Sequence, residues 1–151
     1  MLRKIRQFHP DAEDRAQRFS LGSWPSGAHL LGKAAYPDFP NHTSTSCTLC
    51  LTNAGETHQH VLTKCEVSLE IWQLGCRSEL PHPTLLDFAC PSVSKAIVGQ
   101  LRYQVLFLYS ITSLTRTRRF GKDPLLPLLP SEREKLSQRL TDEWQFPSSS
   151  L

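Results

Sequence analysis

Four side chains within one short stretch have the types and spacing to hold a metal ion. Cys47 and Cys50 stand two residues apart, a spacing at which two thiolates from one tight loop meet a single tetrahedral ion. His60 then offers an imidazole and Cys65 a third thiolate. Leu49, between the first pair, is placed to pack beneath the ion and leave backbone amides free to donate to the sulfurs. Soft thiolates with one imidazole select Zn²⁺ over hard cations, and a closed Cys₃His set leaves no position for a catalytic water. The expected chemistry is therefore structural. Metal binding by zinc-finger peptides is worth roughly 10–16 kcal/mol at neutral pH, enough to supply much of the folding free energy of so small a segment.

His58, two residues before His60, competes for the same role. If a helix starts near Thr57, His60 falls on its first turn, on the side that leads to Cys65. The spacing favours His60, with His58 pointing outward or supporting the site through a hydrogen bond. Glu56 suits the first turn of that helix, where its charge meets the positive end of the dipole. Val61, Leu62, Leu69, Ile71 and Trp72 read as the core beneath the site. Cys76 and Cys90 lie outside the spacing and read as small buried thiols.

The string Cys47-Thr-Leu-Cys50, Glu56-Thr57-His58-Gln59-His60, Cys65 and Trp72 resembles the zinc-binding domain that follows the polymerase domain in reverse transcriptases of non-LTR retrotransposons. That family carries C-x-x-C, a short polar loop, E-T-x-x-H, a few apolar residues, Cys, and an aromatic about six residues on. The likeness covers residues 47–72 well, and more weakly the approach His29-Leu30-Leu31-Gly32-Lys33. It implies one structural Zn²⁺ held by Cys47, Cys50, His60 and Cys65, and it places His60 rather than His58 in the ligand position.

A polymerase needs paired aspartates for two metal ions, and the chain has neither an Asp-Asp pair nor a Tyr-x-Asp-Asp run. No ribonuclease H or endonuclease carboxylate cluster, phosphate-binding glycine loop, nucleophile elbow or H-E-x-x-H helix is legible. The expectation is a non-catalytic, retroelement-derived fragment standing alone.

The elements that must position the site are expected to be mainly α, with little sheet beyond a hairpin at Cys47–Cys50. The small Cys₃His module would pack against two or three helices. Residues 1–46 read as a basic, helical start, capped by Asp11 with Ala12, Ala16 and Phe19 on one face, followed by a turn-rich linker. Residues 47–76 form the zinc module and residues 77–146 a helical region, with new elements starting at Thr84 or Pro91-Ser92. In that region the apolar positions from Val93 to Ile111 recur every three or four residues. They predict a long helix from Ser92 to about Arg119, stopped by Gly121, apolar nearly all round between Tyr103 and Leu114. Asp123–Pro130 reads as an extended apolar strap. Ser131 with Glu134 forms a capping box for a helix carrying Leu136, Leu140 and Trp144 on one face. Residues 147–151 read as a disordered tail.

Charge points to partners. The net charge is only +3, yet no acid falls between Asp87 and Asp123, where Lys95, Arg102, Arg116, Arg118, Arg119 and Lys122 all lie. Arg3, Lys4 and Arg6 add a second basic group. Arg116, Arg118, Arg119 and Lys122 are candidate contacts to RNA or DNA phosphates, with Phe120 a stacking partner. The competing reading of those cations is a favourable charge at a helix C-terminus. A different function class is a protein-interaction module that docks, or self-associates, through the apolar helix 101–114. No stretch is long and apolar enough to cross a membrane, and the basic opening has no apolar core of a secretory signal. An intracellular location, nucleus or cytoplasm, is expected, where cysteines ligate metals rather than form disulfides.

Overall fold

The structure, a computed structural model, describes residues 10–22, 26, 46–90, 98–121 and 124–149. It is mainly helical. The helices are α1 (Pro10–Ser20), α2 (Glu66–Cys76), α3 (Leu85–Ala89), α4 (Val98–Arg119) and α5 (Pro130–Ser149), and a π-helical turn at His60–Lys64 runs into α2. Extended pairing among the described residues is limited to one antiparallel bridge between Ser46 and Gly55, which closes the loop carrying Cys47 and Cys50.

α4 is the central helix. Leu101, Tyr103, Val105, Leu106, Phe107, Leu108 and Ile111 are all buried, so the all-round apolar pattern does what such patterns do in soluble proteins: it places the helix inside. α1, α3 and α5 pack against it, and α5 also lies along α2. Most of the segment 101–114, expected as a docking surface, is thus buried within this chain, while Arg102, Tyr109, Ser110, Ser113 and Leu114 stay half-buried. The segment 91–97, where the long helix was expected to begin, lies outside the described residues. Gly121 sits where α4 stops; a Cβ there would come within 2.9 Å of the Thr117 carbonyl.

The apolar face predicted for α1 is present, with Ala12, Ala16 and Phe19 buried. Pro10 rather than Asp11 opens the helix, because its fixed φ and missing N–H cost nothing at the first helical position. The same substitution of roles occurs in α5. Pro130 takes the first position and the Leu129 carbonyl accepts from the amides of Glu132 and Arg133, so Ser131 lies inside the helix instead of capping it. α5 also continues through Pro147 to Ser149, where a disordered tail was expected. Leu140 is buried and Leu136 half-buried as predicted; the Trp144 side chain lies outside the described residues. Residues 124–129 form the expected strap, with Leu128 buried and Leu126 and Leu129 exposed. Arg118 donates to the Leu126 carbonyl and Arg133 to that of Leu128, tying the strap to the helices on either side.

Thr84 starts α3 through a reciprocal capping box. Its hydroxyl accepts from the Asp87 amide at 3.2 Å while the Asp87 carboxylate accepts from the Thr84 amide at 2.9 Å. Cys90 follows α3 and is exposed, unlike Cys76, which is buried as expected.

α2 meets α4 and α5 at small residues. Tyr103 donates to the Trp72 carbonyl at 2.8 Å and Thr141 to the Gly75 carbonyl at 2.6 Å. Gly75 makes this crossing possible, since a Cβ would sit 2.2 Å from the Tyr103 hydroxyl oxygen. Trp72 anchors the aromatic core, meeting the rings of Tyr103, His82 and Phe107 edge-on at 4.7, 5.1 and 5.1 Å. Its indole N–H donates to the Leu80 carbonyl. One continuous core runs from Cys47 and Leu49 through Trp72 and α4 to Leu140, so residues 47–76 and the helices after them bury their apolar surface together.

Candidate metal centre

The site is built from the loop, the π-helical turn and the start of α2. Cys47 donates its amide to the Ala54 carbonyl at 2.8 Å, and the Leu51 amide returns to the Cys47 carbonyl at 3.2 Å. This folds residues 47–51 into a tight knuckle, with Leu51 in the left-handed region at φ 55°. Leu49, 1% exposed, fills the space beneath it. Thr57 accepts the His60 amide on its hydroxyl and starts the next turn. There the Cys65 amide bonds to the His60 carbonyl, one residue beyond the α-helical partner. The widened turn carries both His60 and Cys65 toward the knuckle; π turns of this kind recur at functional sites.

One ligand atom from each of Cys47, Cys50, His60 and Cys65 lies within 4.8 Å of every other. The Cys47 and Cys65 sulfurs are 3.9 Å apart, and the Cys50 sulfur is 3.4 Å from His60 Nε2. Zn–S and Zn–N bonds at tetrahedral angles demand separations of about 3.8 Å and about 3.5 Å. The donor set and its dimensions therefore fit a tetrahedral ion of this kind. His58 is outside the cluster and packs instead against the ring of Phe19 at 4.8 Å.

The surroundings favour negative charge on the Cys65 sulfur. The hydrogen bond from Cys47 holds the Cys65 thiol down to about 5 against the opposing effect of burial, helped by the amides of Ser68 and Val67 at the start of α2. The same bond, with burial, pushes the Cys47 thiol up, while the Cys50 and Leu49 amides oppose the rise. A cation that binds here must displace whatever protons the thiols carry.

Glu56 does not cap the following helix. It is 1% exposed, and its Oε2 accepts from the Thr48 amide at 2.7 Å and the Thr48 hydroxyl at 2.6 Å. Its Oε1 accepts from Arg119 Nε at 2.9 Å, with both side chains 1% exposed. Arg119 also donates from Nη2 to the Ser46 carbonyl at 3.0 Å, and Arg118 donates from Nε to the Thr48 carbonyl at 2.7 Å. Sequence reasoning placed both arginines on a phosphate-binding surface. Arg119 is instead buried against the knuckle, out of reach of any phosphate, and Arg118 is half-buried with its guanidinium on two carbonyls. Arg116 and Phe120 are half-buried at the end of α4. Lys122, Lys95 and the basic group at Arg3–Arg6 lie outside the described residues.

Comparison of the chain with protein-family models, curated protein sequences and solved structures finds no match. Among the described residues no helix is long and apolar enough to cross a membrane.

Proposed function

We propose that Cys47, Cys50, His60 and Cys65 hold one structural Zn²⁺, and that the chain is a non-catalytic module of the kind that follows the polymerase domain in non-LTR reverse transcriptases. The observation that carries the reading is the convergence of three sulfurs and one imidazole within 4.8 Å. Four protein ligands close the coordination sphere, and the ion's work is to fix the knuckle to the π-helical turn and α2. The finer part of the proposal is that the module meets RNA or DNA without sequence preference, in a compartment reducing enough to keep the thiols free. It leans on the acid-free stretch between Asp87 and Asp123, with Arg116 half-buried at the end of α4.

Native mass spectrometry on protein purified without added zinc tests the first part. One Zn²⁺ in the wild type, absent from Cys65→Ser, supports it; a folded wild type without metal overturns it. Titrating RNA and DNA binding against salt tests the second. A steep fall in affinity with salt, as phosphate contacts require, supports it, and no binding at low salt overturns it.

A further inference from the structure

The two arginines that end α4 are more than a basic cluster at a helix terminus. Arg119 reaches the Ser46 carbonyl, just before Cys47, and the Glu56 carboxylate; Glu56 in turn holds the amide and hydroxyl of Thr48. Arg118 takes the Thr48 carbonyl. The polar backbone groups on both sides of Cys47 that point away from the sulfurs are thus gripped from one place, 63 to 73 positions along the chain. Their grip fixes the turn that aims Cys47 and Cys50 at the ion position. Metal ligands are commonly oriented by hydrogen bonds one step removed, and losing such a partner typically lowers metal affinity 10–100-fold.

We infer that Arg118 and Arg119, with Glu56 as the bridge, are positioning residues of the metal centre, so that docking of α4 sets how tightly the Cys₃His site holds its ion. The inference rests on the zinc reading above. The coupling is reciprocal: whatever α4 gives to metal affinity, bound metal returns to the docking of α4. An ion pair that merely stapled a loop to a helix would change stability and leave the affinity of the folded protein unchanged.

The test is competition for Zn²⁺ against a chromophoric chelator, on the full chain, for wild type, Arg119→Met, Arg119→Lys, Arg118→Met, Glu56→Gln and the double variant Glu56→Gln/Arg119→Met. Helical circular dichroism of the zinc-loaded proteins reports folding. Arg119→Met is expected to lose about 10–100-fold in affinity, with Arg119→Lys between it and the wild type. The double variant is expected to lose less than the product of the two single losses, as residues of one network do. A folded Arg119→Met or Arg118→Met with wild-type affinity overturns the inference. Should Arg119→Met fail to fold, Arg118→Met and Arg119→Lys decide, and wild-type affinity in either overturns it equally. If the wild type takes up no zinc, the metal reading falls and this inference with it; one zinc in the wild type with unchanged variants sinks this inference alone.

Discussion

Arg119 meets Glu56 at 2.9 Å with both side chains 1% exposed, although 63 residues separate them. Burying two charges is costly, and it is tolerated here because every contact is a good hydrogen bond: Glu56 accepts from Thr48 twice and Arg119 has a second acceptor in Ser46. Removing one partner strands the other. Glu56→Leu alone should destabilise the zinc-loaded chain by about 3–5 kcal/mol, whereas Glu56→Leu with Arg119→Met should recover much of that loss. Urea melts of the three proteins check the order; equal midpoints for the single and double variants would contradict it.

Metal removal should reach beyond the knuckle. Leu49, Cys47 and Cys65 belong to the same core as Trp72 and α4, so a chelator should cost helical signal as well as zinc. Circular dichroism followed alongside metal release would show one transition. Full helicity after complete removal would show that the helices stand without the ion.

Leu51 occupies the left-handed region at φ 55°, where a Cβ costs roughly 1–2 kcal/mol and glycine almost nothing. Its side chain is 37% exposed, so truncation also gives up part of its packing. Leu51→Gly should raise stability only slightly, by less than about 1 kcal/mol, once that packing and the extra freedom of the unfolded glycine are subtracted. A fall in the thermal midpoint would show that the leucine contributes more by packing than its strain removes.

Gly75→Ala places a methyl 2.2 Å from the Tyr103 hydroxyl oxygen and should cost about 1–3 kcal/mol through overpacking and loss of the bond to the Trp72 carbonyl. Tyr103→Phe removes that oxygen. The double variant should therefore lie closer to Tyr103→Phe alone than additivity predicts, and a double-mutant cycle by denaturant melts measures the difference.

His82 donates from Nε2 to the Leu62 carbonyl, while its Nδ1 is buried without a hydrogen-bond partner. Burial lowers its pKa in the fold, and the bond to Leu62 only partly opposes the shift. The sign follows directly: below about 6.5, the unfolded histidine takes up a proton that the folded one resists, so stability is present above that pH and falls as pH drops toward the folded value. His82→Asn should flatten the difference in stability between pH 7 and pH 5.5 relative to the wild type. Identical slopes would locate the acid sensitivity elsewhere.

The candidate ligand set was legible because it is local: Cys47, Cys50, His60 and Cys65 lie in one stretch, at spacings that bring four donor atoms together. α4 was legible for a similar reason, since its apolar residues recur at helical period. Its burial by the chain itself was less so, because an all-round apolar helix has the same pattern whether its cover is another chain or its own neighbours. The roles of Arg118, Arg119 and Glu56 were illegible: Glu56 at the start of a helix and arginines at the end of one both satisfy helix-dipole rules, and nothing in either segment records that the two ends meet. The two prolines that open α1 and α5 were misread for a smaller reason, as Asp11 and Ser131, good cap residues, lie one residue past the prolines that already open the helices.

The continuity of the core between the knuckle and the helices defines the shortest piece of chain that can stand alone. A peptide cut at residues 47–76 would keep all four ligands, yet it would leave Leu49, Ile71 and Trp72 without cover and Glu56 as a bare carboxylate with no guanidinium to receive it. The outer limit of the metal centre is set by where α4 ends, at Arg119, and insertions are best tolerated where the chain leaves that shared interior. The stretch that carries Cys47, Cys50, His60 and Cys65 is one corner of a core it shares with the helices.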